Sequence, residues 1–411
     1  MPNKSTNISF GGRCKETFKI VEEEFKNNFI KGWESEGASI AVFHKGECVV
    51  DIYGGYADKS CNKKWTSDTL SVMFSITKSI ASICLAILVD KGHAFYSDLV
   101  TNYWPEFGKN GKENITIEMI LNHRSGLVHM GRVLTREEIF NRDSLRKAIE
   151  EMKPIFTVDT KTAYHTFLFG WIVDILVEKI DPSHRTISQL LEEEYCKKYS
   201  NFVQFFKKYL LFFLDLEIFI GTSPEYFYRL TRLKNFKLIE AISETMNDFR
   251  IGKLGYYFYK PTSLMRECLR DLYSVGKDFR IFNNPQMLTL EFPSAGGVGN
   301  AFSVAKLHDI AFNREENASL SLNIKRKLFK TPEKYFDYTT GEPLRKGYGF
   351  NYTKSIKNTW QLGHHGVGGQ NVKVDWENEL VFCYLTNGMK AGVGEHVRTL
   401  KVLEEAIYKC I

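Results

Sequence analysis

Strand-like sequence lies at both ends of this 411-residue chain, with a long stretch of a different character between them. Near the start, residues 39–44 and 48–53 are apolar or alternate around Lys45-Gly46, a pattern typical of a β-hairpin. Three further strands are expected near the end, at residues 360–364, 371–376 and 380–385. Strands at both ends that bracket a helical middle indicate one sheet with an insertion. We therefore predict an α+β fold, in which one antiparallel sheet is built from the N- and C-terminal segments.

Helices are expected on either side of this sheet, at residues 14–33 and 395–408. The residues from Ser75 to about Arg280 show little strand-like alternation and are expected to fold as a large, mostly α-helical insertion. A cleft is expected where this insertion meets the sheet. The predicted domains are a sheet subdomain of residues 1–74 and 290–411 and a helical subdomain of residues 75–289.

One segment within the helical part is atypical. Residues 196–213 carry a concentration of phenylalanines among lysines, at Phe202, Phe205, Phe206, Phe212 and Phe213. Such a segment could form an amphipathic helix that covers the cleft, or it could be an insertion of doubtful origin, such as unspliced sequence. Both interpretations stay open.

The apolar run from Ile80 to Val89 begins just after Ser75-Ile76-Thr77-Lys78, so that a hydroxyl and an amine stand one helical turn apart. Side chains three residues apart lie on the same face of a helix. If that helix is buried, the loss of water disfavours the ammonium form and lowers the pKa of the lysine below its ordinary value of about 10.4. A neutral Lys78 would then accept the proton of Ser75, which is the arrangement of an activated Ser-Lys nucleophile.

The spacing Ser-x-x-Lys occurs five times in the chain, and only its surroundings can select one of them. The five serines are Ser60, Ser75, Ser144, Ser274 and Ser303. Three of the alternatives lie in polar, charged or mixed segments that are typical of a solvated surface. The helix expected after Ser303 lacks a long apolar run that would bury its lysine. Only Ser75 is followed by a helix that is apolar on nearly every face, and it is therefore the candidate nucleophile.

Charge and cysteine usage argue against several classes of function. The formal net charge of +6 is small for this length, and basic residues are interspersed with acidic ones, so no nucleic-acid partner is expected. Neither a run of about 18 uncharged apolar residues nor a secretory leader is visible, so we expect no membrane span and a cytoplasmic location. The eight cysteines include no Cys-x-x-Cys pair, which argues against a disulfide framework or a zinc site. No cofactor is expected, and the oligomeric state is not indicated.

Several short motifs follow one another along the chain. They are Asp51-Ile-Tyr-Gly-Gly-Tyr-Ala-Asp58, Ser75-Ile-Thr-Lys78, Tyr103-Trp-Pro-Glu-Phe107, Gly111-Lys-Glu113, Leu121-Asn-His-Arg-Ser-Gly-Leu127, Pro293-Ser-Ala-Gly-Gly297 and Gly363-His-His-Gly-Val-Gly-Gly369. As a set they resemble the serine β-lactamase-like family, which includes class C β-lactamases, penicillin-binding proteins and family VIII esterases. The resemblance extends from about residue 12 to 408, apart from the Phe-rich segment, and is closest to the esterase-like, animal β-lactamase-domain branch. It implies a β-lactamase/transpeptidase-like form of the predicted fold.

In that family the serine of Ser-x-x-Lys is acylated and the lysine assists in removing its proton, roles that the resemblance assigns to Ser75 and Lys78. A second family motif, Tyr-x-Asn, supplies a tyrosine that passes protons to the leaving group, and Tyr164 occupies its position. This chain has Thr166 where the family has asparagine. An amide that would orient the substrate or the lysine is thereby lost, which puts β-lactam turnover in doubt. A literal Tyr199-Ser-Asn201 lies in the Phe-rich segment, and we interpret it as coincidental.

A third family motif, Lys-Thr-Gly in β-lactamases, corresponds by resemblance to His364-His365-Gly366, on an expected edge strand. Here His364 would supply a hydrogen-bond donor whose charge depends on pH, and Gly366 would let a substrate lie along the strand. The resemblance also places the oxyanion hole at the backbone N–H groups of Ser75 and Val367. No third ligand stands at a suitable spacing from the two histidines, so no metal site is predicted.

Together these features predict a serine hydrolase that forms an acyl-enzyme on Ser75 with a small ester, amide or peptide. Substrate contacts are expected from Thr166, His364, His365 and Gly366. If an alcohol or amine reaches the acyl-enzyme before water, the same site becomes an acyltransferase. A catalytically silent protein that binds a partner or self-assembles remains the alternative of a different class. Retention of both the serine and the lysine argues against it, because a scaffold has no physical need for a desolvated amine beside a hydroxyl.

Overall fold

The computed structural model describes residues 8–197, 216–314 and 318–411. The strands in these residues are β1 (Phe10–Cys14), β2 (Gly37–His44), β3 (Glu47–Asp58), β4 (Lys63–Lys64), β5 (Ser71–Val72), β6 (Ile218–Phe219), β7 (Val298–Gly299), β8 (Lys334–Asp337), β9 (Glu342–Gly347), β10 (Phe350–Lys354), β11 (Trp360–His365), β12 (Asn371–Asp375) and β13 (Leu380–Thr386). The helices are α1 (Lys19–Ile30), α2 (Ile76–Asp90), α3 (Ile117–Leu121), α4 (Arg136–Phe140), α5 (Arg142–Glu150), α6 (Leu168–Ile180), α7 (Ile187–Leu191), α8 (Leu238–Asn247), α9 (Phe249–Tyr259), α10 (Leu264–Arg270), α11 (Pro285–Leu288), α12 (Ala301–Phe312), α13 (Leu322–Leu328) and α14 (Arg398–Lys409).

The main sheet takes its strands from both ends of the chain, in the order β1-β3-β2-β13-β12-β11-β10-β9-β8, and β4 pairs with β3. Neighbouring strands are antiparallel throughout. The two ends meet where β2 pairs with β13, from Leu380 opposite His44 to Thr386 opposite Ala38. This arrangement confirms the predicted α+β fold with an antiparallel sheet from both termini.

Helices cover both faces of this sheet. On one face, α1 and α14 pack against the inward residues of β2 and β13, which include Ile40, Val42 and Phe382. On the other face, α12 packs against the alternate residues of the same strands, which include Ala41 and Cys383, and α2 packs against β10 and β11. Because side chains alternate across a strand, one apolar strand supplies both cores.

Helix α2 is the centre of the second core. Its residues from Ile76 to Leu88 are buried, and it contacts both α6 and β11. A helix that is apolar on every side is stable only when other elements surround it. A small second sheet, in the order β5-β7-β6, lies just before α2 and ties Ser71 and Val72 to Val298 and Gly299. It brings the Pro293–Gly297 motif to the start of α2.

Among the strands longer than two residues in the described part of the chain, four were not predicted, namely β1, β8, β9 and β10. The expected helix at residues 14–33 begins only at Lys19 and ends at Ile30, because residues 10–14 form β1 instead. This strand carries two glycines, which are poor strand formers. Gly12 has a φ of +107°, and a Cβ there would lie 2.1 Å from the carbonyl oxygen of Asp51. Close pairing with β3 therefore requires glycine at a position where the sequence pattern gives no strand signal.

The predicted limits of the subdomains, at residues 74/75 and 289/290, stay a prediction. Of the Phe-rich segment 196–213, the residues from 198 onwards lie outside those that the structure describes. Within the described residues, no helix is long and apolar enough to cross a membrane.

Candidate active site

Ser75 lies at the start of α2, directly after a sharp turn of the backbone. Phe74 has a φ of +47°, which is uncommon for a residue other than glycine. Its ring packs edge-on against Phe279 and Phe282, with centroid distances of 5.8 and 5.5 Å. Packing of this side chain holds the turn in place, and the turn leaves Ser75 only half-buried at the head of a buried helix.

Lys78 lies one turn further along α2, and its Nζ is 3.2 Å from the Ser75 Oγ. The Lys78 side chain is completely buried. Its Nζ has two other hydrogen-bond partners, the backbone carbonyls of Thr166 at 2.8 Å and Ser294 at 2.9 Å. Among the described residues, no carboxylate forms an ion pair with it. The predicted approach of amine to hydroxyl is therefore present, in surroundings that disfavour a charge.

The pKa of Lys78 is lowered well below its ordinary value of 10.5, first by burial and then by the positive charge of Lys346. A neutral amine has two N–H donors and one lone pair. Carbonyl oxygens only accept, so Thr166 and Ser294 occupy both N–H groups. The remaining lone pair is left for the Ser75 hydroxyl. In the neutral form of Lys78, this assignment of hydrogens follows from the hydrogen-bond network and makes Ser75 the donor to Lys78.

Tyr164 is the third group at this point. Its hydroxyl donates a hydrogen bond to the Ser75 Oγ at 2.8 Å. Burial raises the pKa of Tyr164 above its ordinary value of 10, so the phenol is neutral and keeps its proton. Lys78 Nζ also lies 4.9 Å from the centroid of the tyrosine ring. The structure thus brings together all three candidates, Ser75, Lys78 and Tyr164. The competing Tyr199 lies outside the described residues.

A buried ion pair beside Tyr164 was not foreseen from the sequence. Asp337, at the end of β8, pairs with Lys346 of β9 at 2.6 Å, and both side chains are buried. The Asp337 Oδ1 accepts the backbone N–H groups of Tyr164 at 3.3 Å and of Thr339 and Thr340 at 3.0 Å each. Lys346 Nζ lies 4.2 Å from the centroid of the Tyr164 ring. The pair therefore fixes the backbone of the tyrosine and places a positive charge over its ring. An Asp-Tyr-Thr-Thr-Gly turn at residues 337–341 is the one sequence signal that indicates part of this.

Thr166 was expected to contact the substrate through its side chain, but this side chain points in another direction. Its side chain points to the Met265 Sδ, 3.9 Å away, and its backbone carbonyl is the group that meets Lys78. A backbone oxygen of Ser294 provides the second contact. The Ser294 hydroxyl in turn donates to the Phe167 carbonyl and accepts from the Gly170 N–H at 2.6 Å. Positions of the two carbonyls therefore depend on the start of α6 and not on an amide side chain.

His364 does not supply the donor with pH-dependent charge that was expected. Its Nδ1 lies 2.7 Å from the His365 carbonyl, and because a carbonyl only accepts, Nδ1 carries the hydrogen. Its Nε2 is then an acceptor and is buried with no hydrogen-bond partner among the described residues. Burial lowers the pKa of His364 well below 6.5, so the ring is neutral at neutral pH. The His364 ring centroid is 6.1 Å from that of Tyr164.

The strand that carries these histidines is not a simple edge strand, as was expected. β11 pairs with β12 along its length, but it pairs with β10 only from Trp360 to Gly363. From His364 onwards, its β10 side is free of ladder pairing. The half-buried His365 lies beside Asn351 of β10, with 3.3 Å between its Nδ1 and the amide Nδ2, and burial lowers the pKa of this ring to about 3.

The end of β11 approaches the turn before Ser75 very closely. A Cβ at Gly366 would lie 2.6 Å from the Met73 carbonyl oxygen and 3.1 Å from the Phe74 Cβ. Only glycine allows this approach. Val367 is the residue that follows this close approach. The roles of the Ser75 and Val367 N–H groups as an oxyanion hole, and of His365 and Gly366 as substrate contacts, stay predictions.

Several known proteins are similar to this chain in sequence or in fold. A sequence model of the family described as Beta-lactamase matches residues 25–406. The esterase/beta-lactamase LipL of Mycobacterium tuberculosis is 30% identical over 383 residues, which span 92% of this chain and 82% of that protein. A family VIII carboxylesterase of known structure superposes with a TM-score of 0.82 and 24% identity over 98% of this chain and 100% of that one. A penicillin-binding protein homologue from Caulobacter crescentus superposes with a TM-score of 0.77 and 23% identity over 98% of this chain and 100% of that one.

Proposed function

The chain belongs to the β-lactamase family, and from this membership we propose that it is a serine hydrolase that cleaves a small ester or amide through an acyl-enzyme on Ser75. One observation carries the proposal. The Ser75 Oγ lies 3.2 Å from a buried lysine nitrogen and 2.8 Å from a tyrosine hydroxyl, so that it has a base on one side and an acid on the other. The similarity to an esterase of M. tuberculosis supports ester substrates.

In the proposed first step, Ser75 Oγ attacks the carbonyl carbon while its proton passes to the lone pair of Lys78. The backbone N–H groups of Ser75 and Val367 stabilise the oxyanion. As the bond to the leaving group breaks, the Tyr164 hydroxyl gives its proton to the departing oxygen or nitrogen, and Lys78 returns a proton to the tyrosine. In the second step, water attacks the carbonyl carbon of the acyl-enzyme. The Tyr164 hydroxyl takes a proton from this water while its own proton passes to Lys78. When the bond to Ser75 breaks, Lys78 returns a proton to the Ser75 Oγ and the acid leaves.

Labelling with a fluorophosphonate probe tests this proposal, because such probes phosphonylate only activated serines. We expect one adduct per chain, and peptide mass mapping should place it on Ser75. Ser75→Ala should remove the adduct. Ser60→Ala, which alters an exposed serine of the same spacing, should label as the wild type does. An adduct that persists in Ser75→Ala, or no adduct on folded wild-type protein, would show that Ser75 is not an activated nucleophile.

Two other outcomes of the same site are distinguishable. An acyltransferase would release the acyl group to an added alcohol faster than to water, so methanolysis and hydrolysis of one ester should be measured side by side. A silent binding or self-assembling protein would carry no adduct at all. Assignment to the animal β-lactamase-domain branch and a cytoplasmic location remain predictions from the sequence.

A further inference from the structure

An apolar cavity of about 320 Å³ lies beneath helices α8 and α9. Aromatic and aliphatic side chains form much of its wall, among them Phe236, Leu254, Phe258, Leu269, Phe279 and Val367. Ligand sites in proteins typically begin at about this size and are lined mainly by such residues. The wall also includes the charged Arg266, Lys277, Asp278 and Lys390, so the volume and most of the lining, but not all of it, suit an apolar group.

Two wall residues of the cavity adjoin the segments that flank the nucleophile, although Ser75 itself does not line it. Val367, which forms part of its wall, follows the glycine that touches the turn before Ser75. Phe279, another wall residue, packs edge-on against Phe74, the neighbour of Ser75, at 5.8 Å. An ester bound with its carbonyl at Ser75 would thus have an apolar space next to its reacting centre.

We propose that this cavity binds the apolar chain of the substrate, so that the preferred substrates are esters with a chain of several methylenes. The inference rests on the proposed function and narrows its substrate class. Burial of each additional methylene strengthens binding by about fourfold, and the gain continues until the cavity is full. The two arms of the test distinguish a substrate with its apolar chain on the acyl side from one with this chain on the alcohol side.

Gly255 of α9 makes this cavity testable. It lines the cavity, and a Cβ added there would meet no atom within 4 Å. Glycine is also less favourable than alanine within a helix, so substitution should not weaken α9. A large side chain at residue 255 should fill the cavity without disturbing Ser75.

The first test compares p-nitrophenyl esters from acetate to decanoate, and in a second arm acetate esters of alcohols of the same lengths. For wild type, we expect kcat/KM to rise about fourfold per methylene in one of the two arms. Gly255→Phe should abolish this rise with chain length, whereas the matched Gly255→Ala should keep it. No dependence on length in either arm, or an unchanged length profile in Gly255→Phe, would overturn the cavity assignment.

Binding of decanoate separates this inference from the proposed function. Calorimetry on Ser75→Ala should show decanoate binding, and Ser75→Ala/Gly255→Phe should lose it. If this holds while no ester is turned over, the cavity assignment stands and the hydrolase proposal fails. If esters are cleaved but neither chain length nor residue 255 matters, the hydrolase stands and the cavity assignment fails.

A second observation concerns the outer surface of α8. Leu238, Ile239, Ile242 and Met246 are 78, 73, 52 and 85% exposed, and α8 has no buried residue. Their spacing places all four on one face of the helix. The polar Glu244 points the other way and accepts the backbone N–H groups of Ala391 and Gly392, at 2.8 and 3.2 Å. The amphipathic helix thus presents its apolar face to the outside.

The geometry points to a lipid surface as the partner of this face. Phe249, Tyr256 and Tyr259 of α9 continue the apolar surface, being 81, 57 and 75% exposed. Exposed Lys237, Lys253 and Lys260 lie on the same two helices or next to them. Exposed apolar and aromatic side chains flanked by lysines are typical of helices that lie in an anionic membrane interface.

The position of α8 also favours a lipid surface. Two of its other residues, Ala241 and Thr245, line the apolar cavity. Helix α8 would therefore lie between such a lipid surface and the cavity.

Co-sedimentation with vesicles tests this surface. We expect wild type to pellet with vesicles of phosphatidylcholine and phosphatidylserine and much less with phosphatidylcholine alone, since the lysines favour anionic lipid. Ile242→Asp/Met246→Asp should lower the bound fraction at least about tenfold. Phe95→Asp, which alters an exposed apolar residue elsewhere, should bind as wild type. Absence of vesicle binding, equal binding of the double variant, or a vesicle-free dimer that the double variant abolishes would overturn the lipid assignment.

Discussion

The side-chain nitrogen of Lys78 lies 3.2 Å from the hydroxyl oxygen of Ser75. Its other hydrogen bonds are donated to the backbone carbonyls of Thr166 and Ser294. Those carbonyls can only accept, so the neutral amine has its lone pair directed to the serine. Burial without a carboxylate partner lowers the pKa of Lys78 and shifts its equilibrium toward this neutral form. Lys78 is accordingly the base of the proposed mechanism, and the neutral phenol of Tyr164 is the acid.

Loss of the base should slow turnover strongly and leave the fold intact. We expect Lys78→Met to lower kcat for an ester at least about 10²-fold, the lower end of what a positioned base contributes. Lys147→Met, an exposed lysine of another Ser-x-x-Lys site, should keep wild-type activity. Steady-state kinetics with thermal unfolding curves checks both points. Wild-type rates for Lys78→Met would mean that another group removes the proton.

Replacing the acid should slow the reaction without unfolding the site. Tyr164→Phe removes one hydroxyl that donates to Ser75, and we expect kcat to fall about 10²-fold while KM changes little. Since burial raises the pKa of this phenol, wild-type activity should not decline below pH 10 through ionisation of Tyr164. If Tyr164→Phe were fully active and Tyr199→Phe inactive, the tyrosine of the site would have been placed wrongly.

The side chain of Thr166 should matter little, although it occupies the position of the asparagine in the family motif. Its backbone carbonyl makes the contact with Lys78 and remains in Thr166→Ala. We therefore expect kcat/KM of Thr166→Ala to stay within about threefold of wild type. A loss of 10²-fold or more would mean that the hydroxyl itself takes part.

The Asp337–Lys346 pair should set the pH at which the enzyme becomes active. The charge of Lys346 lowers the pKa of Lys78, so its removal should raise that pKa and shift the acid side of the kcat/KM profile to higher pH. Lys346→Met/Asp337→Asn avoids leaving a buried carboxylate unpaired, and asparagine keeps an oxygen for the Tyr164 N–H. At neutral pH the double variant should be slower and should recover as the pH rises.

A matched control for this variant is another buried pair, Lys373–Glu404, whose atoms are 2.9 Å apart. Lys373→Met/Glu404→Gln removes a similar pair from β12 and α14. It should leave the acid side of the profile where it is in wild type. An equal shift in both variants would mean that the effect comes from general loss of stability.

Local pattern was sufficient for the strands that form the centre of the sheet. The expected strands at 39–44, 371–376 and 380–385 correspond to β2, β12 and β13, because buried strands carry continuous or alternating apolar residues. Spacing alone also brought Ser75 and Lys78 together, since three residues make almost one helical turn. These features depend on residues close together in the chain.

Contacts between residues far apart in the chain could not be predicted from the local sequence pattern. Strands β8 and β9 lie at the exposed edge of the sheet, where polar residues and Pro343 are tolerated and no apolar pattern is required. Asp337 and Lys346 reach Tyr164 across more than 170 residues of sequence. The state of His364 depends equally on its burial and on one carbonyl, neither of which residue type reveals. Consequently, the reacting groups were predictable and the groups that tune them were not.

The pH dependence of fluorophosphonate labelling at Ser75 tests the central claim most directly, because it reports the protonation of Lys78 without a contribution from product release. We predict that the second-order labelling rate of wild type rises with pH to a plateau, with a midpoint well below the ordinary lysine pKa of 10.5. In Lys78→Arg, whose guanidinium stays charged, labelling should be slow at every pH. A wild-type rate that rises only near pH 10.5, or an arginine variant labelled as fast as wild type, would contradict the account.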